Sequence, residues 1–521
     1  MGKKKRQFVK PRDKSRDQPS FFWFFSEKHE KKVILLLCVL AGLRIFVFAA
    51  AFPFFNNVDE QAHFDLVYKY AHGRIPHTLE HFSPGSSRLI VLYGSPEYFY
   101  EPNQFPYQKI PPPLWSFPDT PEYRILEERS VSFWSNMVNH EATQPPVYYM
   151  AAAAWYKLGK VLGVGGGQEL YWLRFLNIFV YVLLLWGSFA YVKKLFPANI
   201  LLRFGVPLML VAFPQDVMYT MNNDILSPLF FTMGFFGLMG ICLSESKSYK
   251  FYLITGLMIA CSFLTKVSNV AILGLFGVIL LLRIKKVAKL KKLRMELPKI
   301  VLAFSATLIP IALWEGTNYF ILGGITGSSE VIKMSGWTVK PFWEIWNHPI
   351  FSLTGMVTFW NGLMTTFWRG ELIWYKTALA SRAFDLFYSV SSFLFIVAAA
   401  AGLILHRQTT PSEERFVYSM ILLAAGLSIL FLVGVSISYD FNGWYYPSRA
   451  YPYLTSGRLI SGTLVPFLML YLNGLSYILS KFRLSRYWAV VVLIIAVLIT
   501  VSEVVLSYPV FKSQYNWFHL P

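Results

Sequence analysis

The chain has 521 residues and a formal net charge of +19; 55% of its residues are hydrophobic, 18% aromatic and only 15% charged. Apolar runs of about 18–25 residues recur along it, each long enough to cross roughly 30 Å of hydrocarbon as a helix, which excludes a soluble enzyme carrying a single anchor. The positive charge does not signal nucleic acid, because the lysines and arginines stand in short blocks beside the apolar runs, where the positive-inside rule requires them.

Residues 1–32 form a basic tail with eleven Lys/Arg against four acids, a composition that stays solvated and belongs in the cytoplasm. The apolar run from Val33 to Phe55 is too long for a signal peptide and lacks a small-residue cleavage site, so it reads as a retained first helix. It leads into Asn56-Asn57-Val58-Asp59-Glu60-Gln61-Ala62-His63, where two adjacent carboxylates and a histidine stand at the helix end. Charge is costly to hold beside hydrocarbon, which makes this stretch the leading candidate for an active site. With the tail cytoplasmic, Asp59 and Glu60 face the opposite side.

The segment 56–169 is then extracytoplasmic. From Asn56 to Gln144 it carries six Lys/Arg against eleven Asp/Glu, and five of the nine histidines: His63, His72, His77, His81 and His140. Most of these read as solvated or hydrogen-bonded side chains rather than metal ligands. A structureless loop of this length would be unusual, so a folded cap with short helices lying on the membrane is predicted. Gln144-Pro145-Pro146-Val147 opens a short interfacial helix with proline in its first turn. Gly165-Gly166-Gly167 reads as a flexible joint, without the Gly-Lys-Ser/Thr ending of a phosphate loop.

Six further spans, at about 170–195, 200–220, 225–243, 250–265, 268–284 and 300–320, put Lys193-Lys194, Lys247 to Lys250 and the block from Arg283 to Lys299 on the cytoplasmic side. That block has eight Lys/Arg and one acid and is the strongest topological anchor in the chain. A second outer loop, 321–382, holds Trp337, Trp343, Trp346, Trp360, Trp368 and Trp374. The region 383–508 supplies helices at about 384–406, 416–436, 458–480 and 488–508, leaving 509–521 outside. The predicted fold is an all-α polytopic membrane protein of about eleven spans. Cys38, Cys242 and Cys261 fall inside apolar runs, so the long loops carry no disulfide between them.

This topology gathers the unusual polar residues on one face. Asp59, Glu60 and His63 end span 1, Asn222-Asn223-Asp224 lie between spans 3 and 4, Lys266 between spans 5 and 6, and Arg449 and Arg458 before span 10. Charges gathered at one interface are expected of a site that works on that face. Each also has a structural reading: Asp59 and Asp224 as helix caps, Lys266 and Arg458 as snorkelling side chains, the tryptophans as an aromatic belt.

The order of the motifs carries a resemblance. A first helix ending in Asp59-Glu60, then Gln144-Pro145-Pro146-Val147-Tyr148-Tyr149, then Leu173-Arg174-Phe175-Leu176-Asn177, resembles the GT-C superfamily of membrane glycosyltransferases, the group with protein mannosyltransferases and aminoarabinose transferases. Phe213-Pro214-Gln215, Asn222-Asn223-Asp224, Leu264-Thr265-Lys266 and Ser456-Gly457-Arg458 look closer still to a bacterial branch of it. The resemblance implies a GT-C-like bundle in a bacterial cell membrane that transfers a sugar from a polyprenyl-phosphate carrier to a glycan, lipid or protein acceptor on the extracytoplasmic face. By similarity Asp59 is the general base. Glu60 orients the acceptor or Asp59, or ligates a metal. Lys266, Arg449 and Arg458 are the candidates for the carrier phosphate. His63, Asp224, His140 and Gln144 are further site candidates. No metal is required on this reading; a divalent cation at Asp59, Glu60 and His63 is the open alternative. The chain departs from its relatives at Gln61, where many have proline, and in the insert from Glu80 to Asn139, which matches no motif.

The residues themselves support one point independently: an outward polar cluster without a cytoplasmic domain or nucleotide-binding motif suits a lipid-linked donor. Two other classes remain, a transporter or flippase of a lipid-linked saccharide, for which no internal repeat is found, and a non-catalytic envelope-assembly scaffold.

Overall fold

Proline sets the ends of several apolar helices. In the computed structural model, which describes residues 29–244, 247–324, 328–408, 410–442 and 446–520, α1 (Glu30–Ala51) stops where Pro53 holds Phe52 in extended backbone, short of the apolar end at Phe55. Most of the basic tail, residues 1–28, lies outside the described residues.

The cap follows. It is built from α2 (Glu60–Ala71), α3 (Pro84–Tyr93), α4 (Pro121–Ser135) and α5 (Val147–Val161), with α2 packed on α5 and α3 on α4. A short antiparallel pair, Glu80–His81 with Val138–Asn139, ties its two halves together. Buried Asp65 fixes that tie by accepting from the Ser83 amide at 2.8 Å, Ser86 Oγ at 2.5 Å and Asn139 Nδ2 at 2.8 Å, with Lys69 at 2.9 Å.

The bundle is formed by α1 with α6 (Gln168–Leu195), α7 (Ile200–Ala212), α8 (Ser227–Leu243), α9 (Tyr249–Thr265), α10 (Ala271–Lys289) and α11 (Leu293–Leu322). After α12 (Ser328–Met334) and the amphipathic α13 (Leu353–Arg369), it is completed by α14 (Arg382–Leu405), α15 (Ser412–Ser438), α16 (Leu464–Lys481) and α17 (Trp488–Ser507). Among the described residues nine helical segments are long and apolar enough to cross a membrane, and α7 and α9 are shorter apolar helices between them. The chain is therefore an all-α, multi-pass integral membrane protein; nine of its described helical segments reach spanning length, where about eleven spans were predicted, and α7 ends at Ala212 rather than near 220. At 13 residues α7 rises only about 20 Å. Residues 213–226 after it are all buried, as backbone without regular helix must be at such depth.

Ionic contacts pin both ends of the bundle. Remote from Asp59, Glu30 of α1 takes Arg203 and Lys193, and Glu296 takes Arg283 and Lys299, each at 2.7 Å. Toward Asp59, Arg44 of α1 pairs with Glu503 of α17 and donates to the Phe213 carbonyl at 2.7 Å. The tryptophans of the second outer loop divide: Trp343 and Trp346 are exposed, whereas Trp368 and Trp374 are buried in the core.

Candidate active site

The turn that follows α1 is fastened from several sides. Val58 N–H donates to Asn56 Oδ1 at 3.0 Å, and the Val58 carbonyl accepts from Asn222 Nδ2 and from Arg458 Nη1, both at 3.2 Å. Asp59 sits at φ +67°, a left-handed conformation that aspartate tolerates better than most residues. Its carbonyl receives the amides of Ala62 and His63, which starts α2. Its side chain does not cap that helix and is turned to two cations instead: Oδ2 accepts from Arg458 Nη2 at 2.9 Å, and Oδ1 from His140 Nε2 at 3.3 Å.

The electrostatics follow from this contact. Burial disfavours the charged carboxylate, but the hydrogen bond and charge of His140, with the charge of Arg458, outweigh it and hold the Asp59 pKa well below the usual carboxylate range. Burial opposes charge on His140 as well, yet its hydrogen bond to Asp59 and the nearby Glu141 raise its pKa to about 9, so it is an imidazolium at neutral pH. His63 behaves oppositely. It is buried, its Nδ1 meets Tyr149 Oη at 2.7 Å, and burial with the neighbouring cations drives its pKa well below the ordinary value, leaving it neutral.

Glu60 is adjacent in sequence but points elsewhere. Its two oxygens accept from Arg174 Nε at 2.7 Å and Nη2 at 2.6 Å, from the amides of Phe55 and Met221, each at 2.9 Å, and from Asn56 Nδ2 at 3.1 Å. Arg174, also fully buried, uses its remaining N–H groups on the Ala49, Phe52 and Pro53 carbonyls at the end of α1. Glu60 thus joins α1, α6 and the 213–226 segment, and it is not brought into the Asp59 cluster.

Asp224 and Lys266 form a buried ion pair at 2.5 Å, and Asn223 Nδ2 reaches Gln144 Oε1 at 3.4 Å. Lys266 and Gln144 in turn line a cavity of about 390 Å³ walled by α11, α15 and the segment that includes Trp337. Arg449 is not gathered in. It is exposed and bound to Asp440 at 2.9 Å.

Three participants were not singled out from the sequence. Glu371, from the second outer loop, lies 3.4 Å from Arg458 Nε and shares that guanidinium with Asp59. Its segment is clamped there: Asn57 Nδ2 donates to the Glu371 carbonyl and Asn57 Oδ1 accepts from Ile373 N–H, both at 2.9 Å, while buried Asp216 accepts from the amides of Glu371 at 2.6 Å and Leu372 at 3.0 Å. Glu141 stands 3.6 Å from His140. Arg174 had a readable signal, since an arginine inside an apolar helix requires a buried counter-charge; Glu141 and Glu371 had none beyond lying in outer loops.

Asp59, His140 and Glu141 each offer one ligand atom within 4.8 Å of the others. An imidazole with two carboxylates is a donor set that suits a divalent cation. To bind one, His140 must give up its proton and Asp59 must share its charge with Arg458. The alternative set of Asp59, Glu60 and His63 is not assembled, because Glu60 is committed to Arg174 and the Nδ1 of His63 to Tyr149.

No family model matches the chain, and no curated protein matches it. Among solved structures it is similar to the archaeal oligosaccharyltransferase AglB from Archaeoglobus fulgidus in complex with an inhibitory peptide and a dolichol-phosphate, at 10% identity and a TM-score of 0.42, over 95% of this chain and 56% of that one. A second is the Archaeoglobus fulgidus oligosaccharyltransferase complex with Zn and sulfate, at 11% identity and a TM-score of 0.40, over 92% of this chain and 53% of that one. Both neighbours are oligosaccharyltransferases. This chain spans only about half of their length. A likeness this distant leaves its activity to be argued from its own residues.

Proposed function

We propose that the protein is a membrane glycosyltransferase that moves a sugar from a polyprenyl-phosphate carrier to an acceptor on the extracytoplasmic face, with Asp59 as general base. The observation that carries this reading is the meeting of Asp59, Arg458 and His140 at one end of the bundle, beside a cavity edged by Lys266. Orientation follows from the basic block at Arg283 to Lys299, which belongs in the cytoplasm and puts Asp59 outside. A bacterial cell membrane is the setting the motif resemblance implies.

In the reaction an acceptor hydroxyl oxygen attacks the anomeric carbon and its proton passes to the Asp59 carboxylate. The bond from that carbon to the carrier phosphate breaks, and its electron pair leaves on the phosphate. Arg458 and Lys266 supply fixed positive charge where that negative charge develops. At rest Asp59 is a weak base, because two cations share its charge. A donor phosphate that draws Arg458 toward itself leaves the carboxylate with one partner fewer, so its basicity rises when the donor is bound. Glu60 and Arg174 act as positioning residues that fix the turn carrying Asp59. A divalent cation, when bound, is held by Asp59, His140 and Glu141, and supplies Lewis-acid charge there.

The test is sugar transfer by purified protein in liposomes, with a panel of polyprenyl-phosphate sugars and acceptors. Asp59→Asn is expected to lose about 10²–10⁴-fold in rate, the usual worth of a positioned base, with donor binding retained. If donor crosses the bilayer without transfer and Asp59→Asn behaves as wild type, the transporter reading takes its place.

A further inference from the structure

The cavity beside Lys266 has a mixed lining. Phe431, Val435 and Leu459 give it apolar surface, as a hydrocarbon chain requires. Glu315, Asn318, Trp314, Trp337 and Ser268 also line it, and each has a polar atom buried without a hydrogen-bond partner among the described residues: Glu315 Oε1, Asn318 Oδ1, Trp314 Nε1, Trp337 Nε1 and Ser268 Oγ. Glu315 and Asn318 are 7% and 1% exposed, and the contact between them is long, Asn318 Nδ2 to Glu315 Oε2 at 3.5 Å. No cation lies within salt-bridge distance of Glu315 among the described residues.

Buried acceptors and donors are rarely left unmatched, because an unmatched group has given up its hydrogen bonds to water without replacing them. An ionisable residue in a membrane helix is a functional-site candidate by default. Glu315 is two turns from the end of α11, about 10 Å below it, on the same side of the bundle as Lys266. A hydrocarbon chain cannot satisfy these atoms, and an anionic phosphate would face the Glu315 carboxylate. What matches two N–H donors and two acceptors in one cavity is a ring of hydroxyl groups, since each hydroxyl both donates and accepts.

Resting on the transferase reading above, we infer that this cavity is the recognition site for the sugar of the lipid-linked donor. Glu315 and Asn318 accept from its hydroxyls, the indole N–H groups of Trp314 and Trp337 donate to them, and Lys266 marks the edge at which the phosphate sits. The ligand class is a neutral polyhydroxy sugar on a lipid phosphate, and Glu315 and Asn318 determine which sugar is taken.

The experiment is competition binding in nanodiscs with undecaprenyl phosphate and with the same lipid carrying glucose, mannose or an amino sugar. Wild type is expected to bind at least one neutral-sugar lipid about tenfold or more tightly than the bare carrier, the worth of one to two hydrogen bonds. Glu315→Gln and Asn318→Leu should each reduce that ratio severalfold or more while leaving bare-carrier binding unchanged, which also shows that the variants are folded. An unchanged ratio in both variants overturns the assignment, as does an equal loss for the bare carrier. A Glu315→Gln effect confined to the amino-sugar lipid overturns hydroxyl recognition in favour of a cation. Because binding is read without turnover, discrimination without transfer keeps this site and sinks the transferase reading, whereas transfer with an unchanged ratio does the reverse.

Discussion

Asp59 and Glu60 are neighbours in the chain, yet one is partly open and shared between two cations while the other is sealed against Arg174 with every acceptor position filled. Their substitutions should therefore fail differently. Replacing Glu60 by Gln leaves Arg174 as an uncompensated buried charge, and the expected loss is about 3–5 kcal/mol of stability, seen as lower thermal stability in detergent and poor yield. Asp59→Asn gives up a stabilising charge too, but Arg458 keeps Glu371 as a partner and the site is partly open, so its melting temperature should fall by less than that of Glu60→Gln. Equal melting behaviour for the two variants would remove the division of labour proposed here. His63 gives a pH signature. Its pKa is depressed in the folded protein, so the unfolded chain binds the proton first as pH falls below about 6.5 and stability is lost on the acid side. His63→Gln should lose less stability than wild type between pH 7 and about 5, a difference that melting curves across that range would register.

Between residues and the whole lies the loop that brings Glu371 to Arg458. Gly370 makes this docking feasible: its φ is +85°, and a Cβ there would lie 2.1 Å from the Asp216 carboxyl carbon. Gly370→Ala should push Asp216 off the amides it holds, loosen the 371–373 segment and lower transfer, with a stability cost on the order of 1–3 kcal/mol. Unaltered donor KM and transfer rate would mean that the clamp does not support the site. Hydropathy alone carried the first helix to Phe55, four residues past Ala51, because the apolar run continues beyond the point where Pro53 stops the helix. The partners of the charged groups were not legible in the sequence. Glu60 and Arg174 are 114 positions apart and Asp59 and Arg458 are 399 apart, and hydropathy states which residues meet lipid without stating which helix faces which. Arg449 and Arg458 look alike in the chain; only packing separates the one on Asp440 from the one on Asp59.

For the molecule as a whole, the alternation of spans makes a claim about sidedness. Single cysteines at Glu122 in the cap and at Lys292 in the basic block should be labelled by an impermeant thiol reagent from opposite sides of intact cells, Glu122 from outside. Labelling from the same side would overturn the topology, and with it the outward site. Cys38 and Cys242 are buried and Cys261 partly so, which keeps the native background low.

The pairing of Arg44 with Glu503 also bears on how the protein is made. These partners are 459 positions apart, so at about 5–20 residues per second a ribosome needs roughly 20–90 s after making Arg44 to supply its carboxylate. During that interval α1 carries a guanidinium whose permanent partner does not yet exist. The nascent chain has to wait, with that charge shielded by the insertion machinery or held near the membrane surface, until α17 arrives and closes the bundle. A chain that stops before α17 therefore keeps Arg44 without the carboxylate that neutralises it in the finished bundle.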